Sequence, residues 1–234
     1  HESRGLGDVY KRQVRLSEAM QTVVVMLTDQ NLAQSRVILP KPSYSLPAIP
    51  PRKTAQPDQA YRRYEVTADG VSAMAVPGTE ESTYVADGLE HSESGKPSTS
   101  AADHAAQLEK RHRKISEFDY GGHWADIRGE GDSAIITWGS TTAAVREAAG
   151  RLEARGEKVR VIALRLLLPA SPEKLAAALE GVRRVLVVEQ SHSRQFYRYL
   201  RAYYDLPDAT LSEARPGPLP ITPGEIVMHY ENWS

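Results

Sequence analysis

The chain has 234 residues, of which 41% are hydrophobic and 7% aromatic, with a formal net charge of −1 and no cysteine. This length allows one or two domains, and the near-neutral charge gives no reason to expect nucleic-acid or membrane-surface binding. Without cysteine, disulfides, a thiol nucleophile and an iron–sulfur cluster held by this chain are excluded. No apolar run approaches the roughly 20 residues that span a bilayer, so a cytoplasmic protein is expected.

Residues 1–13, HESRGLGDVYKRQ, differ in character from the rest of the chain. DVYKRQ resembles translated adaptor read-through, so this stretch is expected to be a non-native leader on a truncated sequence. Within 14–38, the end of a helix is followed by a strand over Thr22–Leu27 and a short helix opened by Asp29. Val-Val-Val-Met-Leu, without alternation, predicts a strand buried on both faces, a remnant of a second α/β domain. Residues 39–129 read as a connecting segment, with eight of the fifteen prolines between Pro40 and Pro97. PKPSYSLPAIPP is expected to be extended. Near the end of the segment, ADHAAQLEKRHRKI has helical composition, with Ala105, Leu108 and His112 at helical spacing. Lys110, Arg111, Arg113 and Lys114 form its basic tail, expected to be a solvated face.

From about residue 130 to 234 the pattern becomes regular. SAIITWG, VRVIALRLLLP and RRVLVVEQ predict strands, with a weaker one near Leu211–Ala214. The helix after the first strand carries Val145, Ala148, Ala149 and Leu152 on one face and closes at Gly156. The second has Ser171 as N-cap, Pro172 at its first position and an apolar stripe of Leu175, Ala178, Leu179 and Val182. The third is expected to bury Phe196, Tyr199, Leu200 and Tyr203, with Arg194, Arg198 and Arg201 on the opposite face. Thr222 and Glu225 form a capping box on the last helix. This alternation predicts a doubly wound, mostly parallel α/β sheet.

In such a sheet ligands gather at the carboxyl ends of the strands, near helix N-termini. Ser140 and Thr141, after Gly139, could hold a phosphate or carboxylate there, or could simply cap the helix. Glu189 and Gln190 lie at another strand tip, before Ser191, His192 and Ser193. Serine–histidine catalysis is not expected from that turn, because sequence neighbours rarely reach the needed geometry and no G-x-S-x-G elbow occurs. In the connecting segment Asp87, Glu90, His91 and Glu93 crowd four titratable groups beside Gly88 and Gly95. They could bind a cation or polar substrate groups, or form a plain acidic loop.

Three ordered stretches resemble the C-terminal half of the alpha subunit of 2-oxoacid:ferredoxin oxidoreductases, most closely the 2-oxoglutarate type. They are VVVMLTDQNLAQS; ADGLEHSESG with KRHRKI; and AIITWGSTTAAVREAAGRL through VLVVEQSHSRQFYRYLRAYYDLP. The resemblance implies oxidative decarboxylation of a 2-oxoacid on thiamine diphosphate, acyl transfer to coenzyme A and reduction of ferredoxin. It implies that a beta subunit binds the diphosphate with magnesium and carries the iron–sulfur cluster. Residues 14–38 would then end the domain facing the cofactor's pyrimidine, and residues 130–234 would form a transketolase C-terminal-like domain. The family loop Gly-x-Glu-His-Asp-Glu matches Gly88, Leu89, Glu90, His91, Ser92 and Glu93, with Ser92 where an acid is common. Asp87, Gly88, Glu90, His91, Ser140, Thr141 and Gln190 are the expected cofactor- or substrate-proximal residues, and none is expected to be catalytic. Ser191 and Arg194 stand where the family tends to have Asn and Gly. The alternatives are a stand-alone α/β binding module for an anionic ligand and the equivalent domain of a pyruvate-specific relative.

Overall fold

The computed structural model describes residues 6–36, 38, 51–56 and 59–233, with the side chains of 6–11 left aside. The described residues fall into two compact units, one within His1–Met26 and Val37–Asp119, the other within Leu27–Arg36 and Tyr120–Ser234. The expected extended run over 40–50 and the first five residues of the expected leader lie outside the described residues.

Helix α1 (Leu6–Met20) opens the first unit and helix α3 (Ala101–Ser116) closes it, while the short helix α2 (Gln30–Gln34), between them in sequence, belongs to the second. In the first unit, irregular chain between α1 and α3 is pinned by the isolated bridges Thr54–Met74 and His91–Pro97. The stretch expected as a strand at Thr22–Leu27 forms no regular element and pairs with no described strand. Val23, Val25 and Leu27 are 86, 71 and 59% exposed, so the expectation of burial on both faces is not met. Consecutive valines favour a strand, but forming and burying one requires neighbouring strands.

Helix α3 also departs from expectation. Its buried residues are Gln107 and Lys110, whereas Leu108 is half exposed. The unit buries little apolar surface, and α3 is held instead by side chains that bond to the backbone running beneath it. Gln107 Nε2 donates to the Tyr64 carbonyl at 2.7 Å, and Arg113 donates to the carbonyls of Thr67 and Ala68 at 2.9 and 3.0 Å. Lys110, Arg113 and Lys114 of the basic tail are therefore partly or fully buried, and Arg111 alone stays on the expected solvated face. Gly70 permits this approach. At φ +69° it passes so close to α3 that a Cβ would sit 2.6 Å from Lys114 Cβ and 2.7 Å from the Lys110 carbonyl oxygen.

The second unit is built on a five-stranded sheet of order β1-β3-β2-β4-β5. Strands β2 (Ser133–Trp138), β3 (Val159–Leu164), β4 (Arg184–Glu189) and β5 (Ala209–Ala214) are parallel. Strand β1 (Ala125–Arg128), which lies inside the stretch read from sequence as connection, adds antiparallel to β3 at the edge. Side chains alternate between the two faces of each strand. Ala134, Ile136, Ile162, Leu164, Val185 and Val187 pack on helices α5 (Pro172–Ala178) and α6 (Gln195–Tyr203) through Leu175, Phe196 and Leu200. Ile135, Val159, Val161, Leu186 and Val188 pack on α4 (Thr141–Glu153) and α7 (Pro223–Glu231) through Val145, Leu152, Ile226 and Tyr230. With helices on both faces, the sheet is the doubly wound, mostly parallel arrangement read from the sequence.

Most expected stripes and caps are in place, including the Thr222–Glu225 capping box. Ser171 occupies the N-cap of α5 but makes no side-chain capping bond. Tyr203 is half exposed, and Tyr204 is buried in its place. The helix ends at Tyr203, and extended backbone at Tyr204 (φ −134°, ψ 145°) turns that ring back to the core.

Replacing Gly70 with Ala should destabilise the seat of α3 by about 2–4 kcal/mol. Hydrogen-exchange mass spectrometry should then show α3 amides exchanging about thirtyfold faster or more, with the second unit unchanged. Unaltered exchange in α3 would contradict the close approach.

Candidate functional site

In the first unit, the Asp87–Glu93 loop is held by contacts specific to each residue. Asp87 Oδ1 accepts the Leu89 N–H at 2.9 Å, which makes a local turn. The Glu90 carboxylate meets Arg111 at 2.7 and 3.2 Å and His104 Nδ1 at 3.0 Å. Hydrogen bonding from Arg111, opposed by burial and reinforced by His104, brings the Glu90 carboxyl down to about 2. His104 and Arg111 are seven residues apart and share a face of α3, the one sequence signal that could have identified this clamp. Glu93 Oε2 accepts the Val66 N–H at 3.0 Å.

His91 is buried and stacks on Tyr64, with ring centroids 4.4 Å apart and planes within 7°. Its Nε2 lies 3.2 Å from Asp87 Oδ1, but the angles are not those of a hydrogen bond and the nitrogen has no hydrogen-bond partner. Gly88 has open space around it. The three carboxylates thus turn to three separate internal partners. Among the described residues, no three His, Asp or Glu side chains converge as metal ligands, and the chain has no cysteine. This donor set does not fit the magnesium of thiamine diphosphate or an iron–sulfur cluster, and no chemical step is assigned to the chain through either.

Lys110, on the inner face of the same helix, is a buried amine with no carboxylate partner at bonding distance among the described residues. Its Nζ donates to Ser72 Oγ and, at 3.5 Å, to Gln107 Oε1. Burial pushes its pKa down to about 8, with the charges of Lys114, Arg63 and Arg111 adding to the effect.

In the second unit, chain order sends the connection after β2 to one side and the connection after β4 to the other. The crevice between those two strand ends is where a doubly wound fold takes a ligand. Ser140, Thr141 and Gln190 all lie there, and the chain uses each of them internally. Ser140 Oγ donates to Asp29 Oδ2 and does not cap α4. Thr141 Oγ1 is 2.6 Å from Thr137 Oγ1 and donates to the Trp138 carbonyl at 2.7 Å, while Thr137 bridges to the Val188 carbonyl. Gln190 Nε2 donates to the carbonyls of Gly217 and Leu219 at 3.0 and 3.1 Å.

The main occupant of this crevice is Glu189. Its carboxylate is buried and accepts the Phe196 N–H at 2.8 Å, the Tyr197 N–H at 2.9 Å and the Ser191 hydroxyl at 2.7 Å. It thereby fills the positive N-terminus of α6, where an anionic ligand would otherwise sit. Ser191 is committed to Glu189, and His192 is exposed, so the turn holds no Ser–His pair. Arg194 adopts φ 54°, ψ 47°, the left-handed conformation that favours glycine. Sequence reasoning places Glu189 at a strand tip but misses its capping role, because cap and helix are separated by a whole turn.

Residues 122–195 match the family model described as transketolase, C-terminal domain. The chain is similar to subunit alpha of 2-oxoacid:ferredoxin oxidoreductase 2 from Aeropyrum pernix, 32% identical over 212 residues, covering 87% of this chain and 33% of that protein. It is also similar to the 2-oxoacid:ferredoxin oxidoreductase subunit alpha of Saccharolobus solfataricus, 31% identical over 193 residues, 78% of this chain and 30% of that protein. A solved structure of 2-oxoglutarate:ferredoxin oxidoreductase from Magnetococcus marinus has 2-oxoglutarate, coenzyme A and succinyl-CoA bound. It aligns at 34% identity with a TM-score of 0.83, over 94% of this chain and 39% of that chain. The chain therefore spans about a third of the length of the curated relatives it matches.

Arg194→Gly should relieve the left-handed strain and stabilise the second unit by about 1 kcal/mol, net of the added freedom of the unfolded chain. Urea unfolding followed by tryptophan fluorescence measures this, since all three tryptophans (124, 138 and 233) lie in that unit; lower stability would contradict the strain. Lys110 should titrate near pH 8 in the Cε resonances of 13C-lysine-labelled protein, well below exposed lysines. The folded state then binds fewer protons than the unfolded chain between about pH 8 and 10.5. The penalty for burying the amine is complete below pH 8 and is relieved as pH rises through that window. Titration of every lysine above pH 10 would refute the burial.

Proposed function

We propose that the chain acts as part of the alpha subunit of a 2-oxoacid:ferredoxin oxidoreductase of the 2-oxoglutarate type. The observation that carries this is the likeness to the Magnetococcus marinus enzyme, because at 94% of the chain it runs through both units and beyond the transketolase-like domain. In this reading the assembled enzyme decarboxylates 2-oxoglutarate oxidatively on thiamine diphosphate, passes the acyl group to coenzyme A and reduces ferredoxin. The beta subunit holds the diphosphate with its magnesium and the iron–sulfur cluster.

The present chain contributes packing and inter-subunit surface and no reacting group. Two observations support that division: the lack of cysteine, and the commitment of Asp87, Glu90, Glu93 and Glu189 to internal partners. Asp87, Gly88, Glu90 and His91 then form a braced loop that presents its exposed tip, Leu89, toward the assembled site. Ser140, Thr141 and Gln190 fix strand-to-helix turns. The exposed Val23, Val25 and Leu27 support a further part of the reading, in which residues 14–38 pair within a pyrimidine-side domain supplied by the rest of an alpha subunit.

The test is the native complex, purified from its source through an antibody to this chain. It should reduce a viologen dye in a reaction dependent on coenzyme A, at least about tenfold faster with 2-oxoglutarate than with pyruvate, a preference of about 1.4 kcal/mol. A preference for pyruvate would move the chain to a pyruvate-specific relative, and a complex inactive with every 2-oxoacid would overturn the reading.

A further inference from the structure

The crevice that a doubly wound fold offers to anions is closed here by Asp29 and Glu189, but an excess of positive charge gathers on the neighbouring edge of the same unit. Asp126, on edge strand β1, is joined by three arginines from three different elements. Arg128 Nε donates to its Oδ1 at 3.0 Å from the same strand. Arg146, from the second turn of α4, and Arg165, just past the end of β3, both donate through Nη2 to its Oδ2 at 2.8 Å. Asp126 pairs with Ala163 in the ladder, so the cluster lies at the carboxyl end of β3. The N–H groups of Arg165 and Leu166 are held by the Trp124 carbonyl, which fixes that turn against β1.

One carboxylate facing three guanidiniums leaves a net charge of +2. The bonds to Asp126 use one N–H from each guanidinium, out of five that each carries. Arg146 Nε is buried and has no acceptor among the described residues. Burial lowers the Arg146 pKa, with the Asp126 charge opposing that and the charges of Arg128 and Arg165 adding to it. On Asp126 burial acts upward, but the Arg128 hydrogen bond and the charges of Arg146, Arg128 and Arg165 hold the carboxyl below its usual range. Guanidiniums held partly out of water in excess of their carboxylate partner carry a desolvation cost that the pairing does not fully offset. The side chains of Arg146 and Arg165 are each 25% exposed, so they are partly desolvated and still reachable in part.

We propose that Arg128, Arg146 and Arg165, organised by Asp126, form a binding site for a phosphate dianion. A tetrahedral dianion matches the +2 charge and offers enough acceptor oxygens for forked bonds from the remaining guanidinium N–H groups. The site lies in the second unit alone and is independent of the reaction assigned above. Free orthophosphate and the phosphomonoester of a larger ligand share this chemistry.

The test is isothermal titration calorimetry on the full chain at constant ionic strength, with orthophosphate, adenosine monophosphate and chloride as titrants. One saturable site for orthophosphate, with Kd below about 1 mM and no response to chloride, is expected. Arg146→Gln and Arg165→Gln should each weaken it at least about tenfold. Arg128→Gln, on the exposed edge, should weaken it severalfold with an unchanged far-UV spectrum, which keeps the test decisive if either of the other variants fails to fold. Tighter binding of adenosine monophosphate identifies an organic phosphate as the ligand, and equal or weaker binding identifies free phosphate. Absence of saturable binding, or binding unchanged in Arg128→Gln and in every other variant that folds, would overturn the proposal.

Discussion

A parallel sheet has no face that tolerates water, and that constraint organises residues 120–233. The inner strands are apolar on both faces, so helices must return to alternate sides and each must start where its strand ends. Glu189 makes one of those starts possible. Its carboxylate ends β4 and at the same time accepts the first free N–H groups of α6, so one side chain terminates a strand and opens a helix. The cost of burying a charge is offset by three donors, and the helix it positions brings Phe196 and Leu200 onto the sheet.

The same arrangement explains why the ligand-binding crevice of the fold is closed. Asp29 reaches Ser140 near the N-terminus of α4, and Glu189 occupies that of α6. Two carboxylates placed where an anionic ligand would bind make the crevice a structural joint. Removing the anion site from the switch point fits a domain used for packing, and it leaves the edge near Asp126 as the region where positive charge remains in excess.

Periodicity accounts for most of what is legible in the sequence. The strands β2, β3 and β4, the apolar stripe of α4, the Pro172 helix start and the Thr222–Glu225 box are all local patterns, and each is found in place. The failures are positions where distant chain decides. Strand β1 has only four residues, and its pairing with β3 is nonlocal. Helix α3 presents Gln107 and Lys110 inward because the chain beneath it offers carbonyls rather than an apolar surface, a choice that helical spacing cannot reveal. Ser140 invites pairing with its own helix, but its partner is Asp29, 111 residues away. The loop at Asp87–Glu93 resembles a cluster of free acids in the sequence because its clamps, His104 and Arg111, are contributed by the helix after it.

The segment TVVVMLT combines seven uncharged residues, three of them consecutive valines, with side chains of Val23, Val25 and Leu27 in water. Such a segment is a template for another copy of itself, since its apolar side chains lie in water and it pairs with no other described strand. Produced without a cover for this stretch, the chain would carry its own adhesive. Its solubility would then depend on concentration and on how quickly the stretch is covered, more than on the stability of the well-packed sheet domain C-terminal to it.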